Sequence, residues 1–271
     1  MQTAAVIPTR NRKTMITRAI DSVLCQTEPV DEIIVVDDGS TDGTGALIRE
    51  RYPAIIVLRT DGLGAGLARD AGVRASGADL FLFLDSDDRW HPDHAALLRR
   101  KIEDGFQVAF GRTRTVDEIG GCNFLIPDQW SIAPGECFCF SRLARWCFLV
   151  PSSVAVTRQA YGAAGGFGDE PLGEDWCFFL RLATRLPFGF CPQIITDRYL
   201  HRDSICCLDG TRSKEIPALV RRVQLYAASH CPDDRDLADF LTTHLHIVSK
   251  EHHTWNTVQD WFTSLQRHAL L

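Results

Sequence analysis

The run Phe81-Leu82-Phe83-Leu84, closed by Asp85-Ser86-Asp87-Asp88, constrains this chain more than any other segment. An apolar stretch without polar interruption predicts a strand covered on both faces, and hence a sheet with helices above and below it. The strand then ends abruptly in a cluster of carboxylates. Such a cluster repels itself unless a cation sits in it, and an oxygen-preferring divalent ion, Mg²⁺ or Mn²⁺, is the natural one. Taken alone, the segment reads equally well as an acidic turn after a strand, because Asp is frequent in turns.

The apolar run, spanning residues 79–84, is the fourth of a series. Similar segments lie at residues 4–8, 32–36 and 54–58. Helix-compatible stretches separate them. Residues 14–26 place Ile16, Ala19, Ile20 and Val23 on one face, and residues 43–52 follow Ser40-Thr41-Asp42, which can supply an N-cap. Residues 64–75 carry Arg69, Asp70 and Arg74 on an otherwise small, apolar helix. This alternation predicts an α/β fold with a parallel sheet and helices on both faces. Beyond Asp88 the period loosens. A helix is expected over 90–103, opened by Pro92, then strands over 107–116 and 148–156 and a turn at Gly165-Gly166-Phe167. Residues 117–134 show no clear period. A helix over 175–186 presents Phe178, Phe179, Leu182 and Leu186, and residues from 214 onward read as helical with a break at Cys231-Pro232-Asp233-Asp234.

The 271 residues suit one α/β domain with an appendage, and 45% hydrophobic with 24% charged residues is ordinary for a globular protein. A formal charge of -6 argues against nucleic acid as a partner. No basic-then-apolar leader and no run of about 20 apolar residues is visible, so a cytoplasmic protein is expected. The ten cysteines form no metal or redox box, and several sit among aromatic neighbours, where a reduced thiol acts as a small hydrophobe.

In an open parallel sheet, ligands bind beyond the carboxyl ends of the strands. Three such ends carry polar clusters here: Pro8-Thr9-Arg10-Asn11-Arg12, Asp37-Asp38-Gly39-Ser40 and Asp85-Ser86-Asp87-Asp88. A carboxylate there can accept the ring N–H of uracil or the hydroxyls of a ribose, and a second pair can hold a metal that neutralises a diphosphate.

These residues resemble the GT-A glycosyltransferases, specifically the inverting family 2. The resemblance rests on Val6-Ile7-Pro8-Thr9-Arg10-Asn11-Arg12, Ile33 to Thr44 with Asp37-Asp38-Gly39-Ser40 at its centre, Ala68-Arg69-Asp70-Ala71-Gly72, and Phe83-Leu84-Asp85-Ser86-Asp87-Asp88. Further on, Pro151-Ser152-Ser153, Gly165-Gly166-Phe167 and Gly173-Glu174-Asp175-Trp176 continue it, so it spans residues 4–204. It implies a GT-A domain over 1–212, with a nucleotide-binding half to about 112 and an acceptor half after it, and a C-terminal helical region over 213–271. It implies an inverting transferase that takes a sugar from a nucleotide-sugar donor, a UDP-sugar by preference, with Mn²⁺ or Mg²⁺ as cofactor. Thr9, Arg10, Asp38, Arg69 and Asp85 would bind the donor, with Asp38 on the uracil ring and Asp85 toward the ribose. Asp87 would lead the metal ligands in the D-x-D element, joined by Asp85, with Asp88 as a supporting charge and His201 as a further ligand. Asp175 would be the general base, with Glu174 beside it. The acceptor is left open among a glycan, a lipid-linked glycan, a peptide and a small molecule. A lipid-linked acceptor would bring the protein to the inner face of a membrane.

Some residues depart from the family pattern. Asp70 stands where the family usually has Asn. The segment Arg198-Tyr199-Leu200-His201 has its Arg and aromatic transposed, so His201 reads equally as a ligand and as a packing histidine. Gly62-Leu63-Gly64-Ala65-Gly66-Leu67 looks like a dinucleotide fingerprint but lacks its third glycine. Two other function classes share parts of the pattern: a sugar-1-phosphate nucleotidyltransferase, and a catalytically silent nucleotide-sugar-binding protein. The first would want a glycine-rich N-terminal loop in place of Pro8-Thr9-Arg10-Asn11; the second would not need Asp85, Asp87 and Asp175 together. His244, His246, His252 and His253 are read as surface residues, and Trp255 and Trp261 as packing residues.

Overall fold

The computed structural model describes residues 1–119, 121, 123–127, 139–145, 147–170, 172–201, 204 and 216–230. Its first part alternates as the periodicity predicts: β1 (Thr3–Thr9), α1 (Ile16–Leu24), β2 (Glu32–Asp38), α2 (Thr44–Arg51), β3 (Ile56–Thr60), α3 (Ala65–Ala75) and β4 (Leu80–Phe83). β1 pairs in parallel with β2 and β4, and β2 pairs in parallel with β3. Alternate side chains of β1 enter two separate cores. Ala5 and Ile7 join Ile16, Ala19 and Ile20 of α1 on one face, whereas Ala4 and Val6 join Ala68 and Val73 of α3 on the other. β3 starts two residues later than the apolar spacing suggests, because Tyr52 closes α2 and its carbonyl then accepts from the Ile55 amide.

The second part comprises β5 (Arg89–Trp90), α4 (His94–Glu103), β6 (Val108–Asp117), β7 (Asn123–Ile126), α5 (Phe140–Leu143), a 3₁₀ turn (Pro151–Ser153) and β8 (Val154–Thr157). It continues with α6 (Arg158–Ala164), α7 (Glu174–Ala183), β9 (Phe188–Leu200) and α8 (Ile216–His230). The sheet order is β3-β2-β1-β4-β8-β6-β9-β5, with β7 on β6. The expected mostly parallel sheet with flanking helices is found, with an unbroken parallel run as far as β4. β8 runs antiparallel to both β4 and β6, while β9 returns parallel to β6. That reversal matters for the site: β8 starts beside the carboxyl end of β4, which brings the 3₁₀ turn under the acidic cluster. The expected strand over 148–156 therefore begins only at Val154, and the helix expected from Trp90 begins at His94 because Arg89 and Trp90 pair with β9. β9 has no counterpart in the periodicity reading. It carries Pro192, which cannot donate to a ladder, and its register on β6 shifts at Gly111 and Arg112.

α8 packs on the main body, with Leu219, Val223 and Ala227 in the same core as Trp176, Phe178 and Leu182 of α7. Among the described residues Cys139, Cys177 and Cys191 are buried free thiols, as their apolar neighbours suggest. The break at 231–234 and the histidines and tryptophans beyond it lie outside the described residues.

Candidate active site

β1 sits between β2 and β4, so all three parallel strands deliver their carboxyl ends to one edge. The first two loops are tied together there. Asn11 takes the left-handed conformation (φ 53°), its amide donates to Ser40 Oγ at 2.9 Å, and its Oδ1 accepts from the Thr41 amide at 2.9 Å. Thr9 Oγ1 is buried with no hydrogen-bond partner among the described residues. A buried hydroxyl left unpaired is costly, which marks it as a group kept for a ligand. Arg10 is exposed on the same rim, and its Nη1 would stand 3.3 Å from a Cβ at Gly62.

Asp38 organises the neighbouring loop. Its Oδ1 accepts from Thr60 Oγ1 (2.6 Å) and from the amides of Gly62 (2.9 Å) and Leu63 (2.7 Å), and its Oδ2 accepts from the Gly64 amide (2.9 Å). The glycine-rich segment that mimics a dinucleotide fingerprint thus spends its amides on an internal carboxylate. Burial works against the charge, but the Thr60 hydroxyl and the three amides hold the Asp38 carboxyl below its usual range.

The acids after β4 have separate surroundings. The Asp85 amide donates to Ser152 Oγ at 3.0 Å, and its Oδ1 receives Arg69 Nη2 at 2.5 Å. Asp87 Oδ2 faces His201 Nε2 at 3.0 Å and Arg12 Nε at 3.6 Å, while its carbonyl receives Arg18 Nη2 at 2.5 Å. Arg18 lies over the Tyr199 ring, 3.7 Å from its centroid. Burial alone would raise Asp87, yet the His201 hydrogen bond and the Arg12 charge hold its carboxyl low. Asp88 lies behind the turn and is 2% exposed; its Oδ2 accepts from Ser152 Oγ (2.6 Å) and its Oδ1 from the Tyr199 amide (3.2 Å). Burial, then the Asp87 and Asp85 charges, push its carboxyl well up, toward the neutral acid.

The expected ligand set of Asp85, Asp87, Asp88 and His201 does not gather in one place. Among the described residues no group of three or more His, Cys, Asp or Glu side chains forms a metal site. Asp88 is used up beneath the turn, and Asp85 is engaged by Arg69. Asp87 and His201 do fit a divalent ion. Two cis ligands at about 2.1 Å from an octahedral ion stand about 3 Å apart, and Mg²⁺ commonly takes only one or two protein side chains plus phosphate oxygens and water.

Arg69 joins this turn to α7. It is 3% exposed, donates through Nη1 to Glu174 Oε1 at 3.0 Å and through Nη2 to Asp85, and lies over the Phe167 ring at 4.9 Å. Burial opposes its charge, but Asp85 and Glu174 more than restore it. Close approach is possible because residue 66 is glycine; a Cβ there would strike the Gly168 carbonyl and Glu174. Asp175 follows on the first turn of α7 and, among the described residues, accepts from its neighbour's amide, Trp176 N, at 2.7 Å. Burial, reinforced by the Glu174 charge and only partly offset by Arg69, lifts its carboxyl to about 7. A carboxylate poised near neutral pH suits proton abstraction.

Asp70, which stands where the family usually has Asn, is engaged inside the protein. Its Oδ1 accepts from Tyr161 OH and the Phe167 amide (2.8 Å), and its Oδ2 from the Gly168 amide (3.0 Å). Three donors reach two acceptor oxygens, and an Asn would offer only one. The residue fastens α3 to the 165–168 loop. The motif reading missed the supports: Ser152 between Asp85 and Asp88, Arg18 and Tyr199 behind Asp87, and Arg12 beside it.

With that geometry in view, a family described as "Glycosyl transferase family 2" matches residues 4–132. An uncharacterized glycosyltransferase of Nostoc sp. is 38% identical over 170 residues, covering 59% of this chain and 52% of that protein. Chondroitin synthase of Escherichia coli is 27% identical over 206 residues, covering 73% of this chain and 29% of the synthase. The chain thus spans about half or less of the length of these relatives. Among solved structures, S. aureus TarS 1-349 in complex with UDP-GlcNAc aligns with a TM-score of 0.67 at 18% identity, covering 94% of this chain and 74% of that one. At that identity the likeness concerns the fold.

Proposed function

We propose that this chain is a family 2 glycosyltransferase of GT-A fold and that it moves a sugar from a nucleotide-sugar donor, a UDP-sugar by preference, to an acceptor with inversion. The observation that carries the reading is the buried Arg69 bridge, which ties the turn at Asp85 to Glu174 at the start of α7, next to Asp175. The TarS complex with UDP-GlcNAc supports a UDP-sugar as the donor.

Residues 1–112 would then bind the nucleotide and 113–212 would face the acceptor. Thr9 supplies the unpaired hydroxyl and Arg10 the rim cation for the nucleoside diphosphate. Asp38 Oδ2, which accepts a single amide, keeps a lone pair for a ring N–H, and its four donors keep it ionised for that role. Asp85 offers its second oxygen to the ribose while Arg69 fixes the first. Asp87 and His201 would hold a divalent cation, which when bound neutralises the diphosphate leaving group. Asp175 takes the proton from the acceptor nucleophile as it attacks the anomeric carbon opposite the departing diphosphate, which gives single displacement with inversion. Glu174 holds Arg69 and, by its charge, helps keep Asp175 basic.

A thermal-shift screen of nucleotide sugars with and without Mn²⁺ tests this, because a ligand that binds only the folded state raises the midpoint. A UDP-sugar is expected to raise it, more so with Mn²⁺. No shift with any nucleotide sugar would overturn the reading.

A further inference from the structure

The loop that leads into α7 is gripped from two sides. On one side Asp70 holds the Phe167 and Gly168 amides. On the other stands α8, which the family resemblance assigned to a C-terminal helical region over 213–271. Leu219 of α8 is 1% exposed and sits on Gly173, the residue that caps α7 immediately before Glu174 and Asp175. Gly173 has φ 73°, and a Cβ there would come within 2.6 Å of both terminal methyls of Leu219. One turn further along, Arg222 pairs with Glu170 in the same loop. Val223 and Ala227 continue the contact into the core that holds Trp176 and Phe178.

We propose that α8 is a positioning element for the catalytic carboxylates: through Leu219 on Gly173 and Arg222 on Glu170 it sets where the first turn of α7 presents Glu174 and Asp175. The proposal rests on the reading of Asp175 as the base. Leu219 and Arg222 touch neither donor nor acceptor in it; they act through the backbone of residues 170–175. A small displacement of a base is enough to slow transfer, while the donor pocket stands on β1, β2 and β4 and is tied to α7 through the Arg69–Glu174 ion pair.

Leu219→Ala and Arg222→Gln separate these effects in the full chain, with Leu219→Met as the conservative control. Three quantities are measured: UDP release from the donor, UDP affinity with Mn²⁺ by calorimetry, and amide exchange by mass spectrometry. Both variants are expected to lose about 10-fold or more in kcat with UDP affinity unchanged. Exchange should accelerate at 173–177 and stay as in the parent at 60–64 and 85–88, and Leu219→Met should restore kcat. The proposal falls if exchange at 173–177 is unaltered in both variants, if it accelerates throughout the chain, or if kcat survives the local loosening. A parent protein that releases no UDP from any donor overturns the transferase reading instead, and the α8–α7 coupling then stands or falls on exchange alone.

Discussion

Asp38, at the end of β2, and Asp175, at the start of α7, are both enclosed carboxylates, and their surroundings push them in opposite directions. Burial raises each. Around Asp38 it is outweighed by the Thr60 hydroxyl and three loop amides, whereas around Asp175 one amide and the Arg69 charge fail to outweigh burial and the Glu174 charge. Enclosure by itself therefore says little about whether an acid is ionised. What decides it is how many donors the surrounding backbone turns toward it. Asp38 is held as an anion by four donors, and the proposed base is left short of them.

Removing the two acids should separate these roles most sharply. Asp175→Asn is expected to lower kcat about 10²–10⁴-fold while leaving UDP affinity unchanged. Steady-state UDP release and calorimetry read both, and retained turnover would overturn the base assignment. The same variant should be more stable than the parent at pH 8, by about 2–4 kcal/mol in urea denaturation. The sign follows from the folded-state pKa lying above the ordinary 3.8. The folded chain holds a proton that the unfolded chain releases, so this group's contribution is full below about pH 4, declines as pH rises toward 7 and is flat above. Asp175→Asn removes that slope.

Asp38→Asn should act the other way. An Asn offers one acceptor oxygen, and its amide nitrogen would face an N–H, so a loss of about 1–3 kcal/mol is expected together with weaker UDP binding. The parent's Asp38 contribution has the opposite pH dependence. Its folded-state pKa is depressed, so the stability is present above the ordinary carboxylate value and lost as pH falls through the folded one. A stability profile of Asp38→Asn parallel to the parent's on the acid side would contradict this. In catalysis the contrast predicts an acid limb in kcat near pH 7, from Asp175, on a donor-binding profile that stays flat at that pH. The smallest change expected is at Ser152. Its hydroxyl joins the Asp85 amide to Asp88, so Ser152→Ala should weaken Mn²⁺-dependent UDP binding about 10-fold, read by calorimetry, with little change in the pH of the acid limb.

How much of this was legible in the sequence depended on distance along the chain. The acids of the D-x-D turn are contiguous and follow an uninterrupted apolar run, so their place at a strand end could be read directly. The fates of the individual acids could not. Asp88 is withdrawn from the expected metal group by Ser152, 64 positions away, and by the Tyr199 amide, 111 away. β9, which brings Tyr199 and His201 to the site, shows neither alternation nor a clean start, because Pro192 and the register shifts at Gly111 and Arg112 break its period. Asp70 follows Arg69 directly, and Arg69 reaches Asp85 and Glu174. One residue further along α3 the side chain points to the 165–168 loop instead.

The amino-acid order determined the strand–helix alternation, the edge where the acidic loops gather and the family those loops resemble. These follow from local periodicity and from residue types at short spacing. Only the tertiary structure decided which carboxylates stay charged, which are consumed as supports and which is left near neutral pH. Ionisation in an enclosed site depends on donors and charges brought from remote segments: the 62–64 amides at Asp38, Ser152 at Asp88, and Arg69 across 105 positions at Glu174.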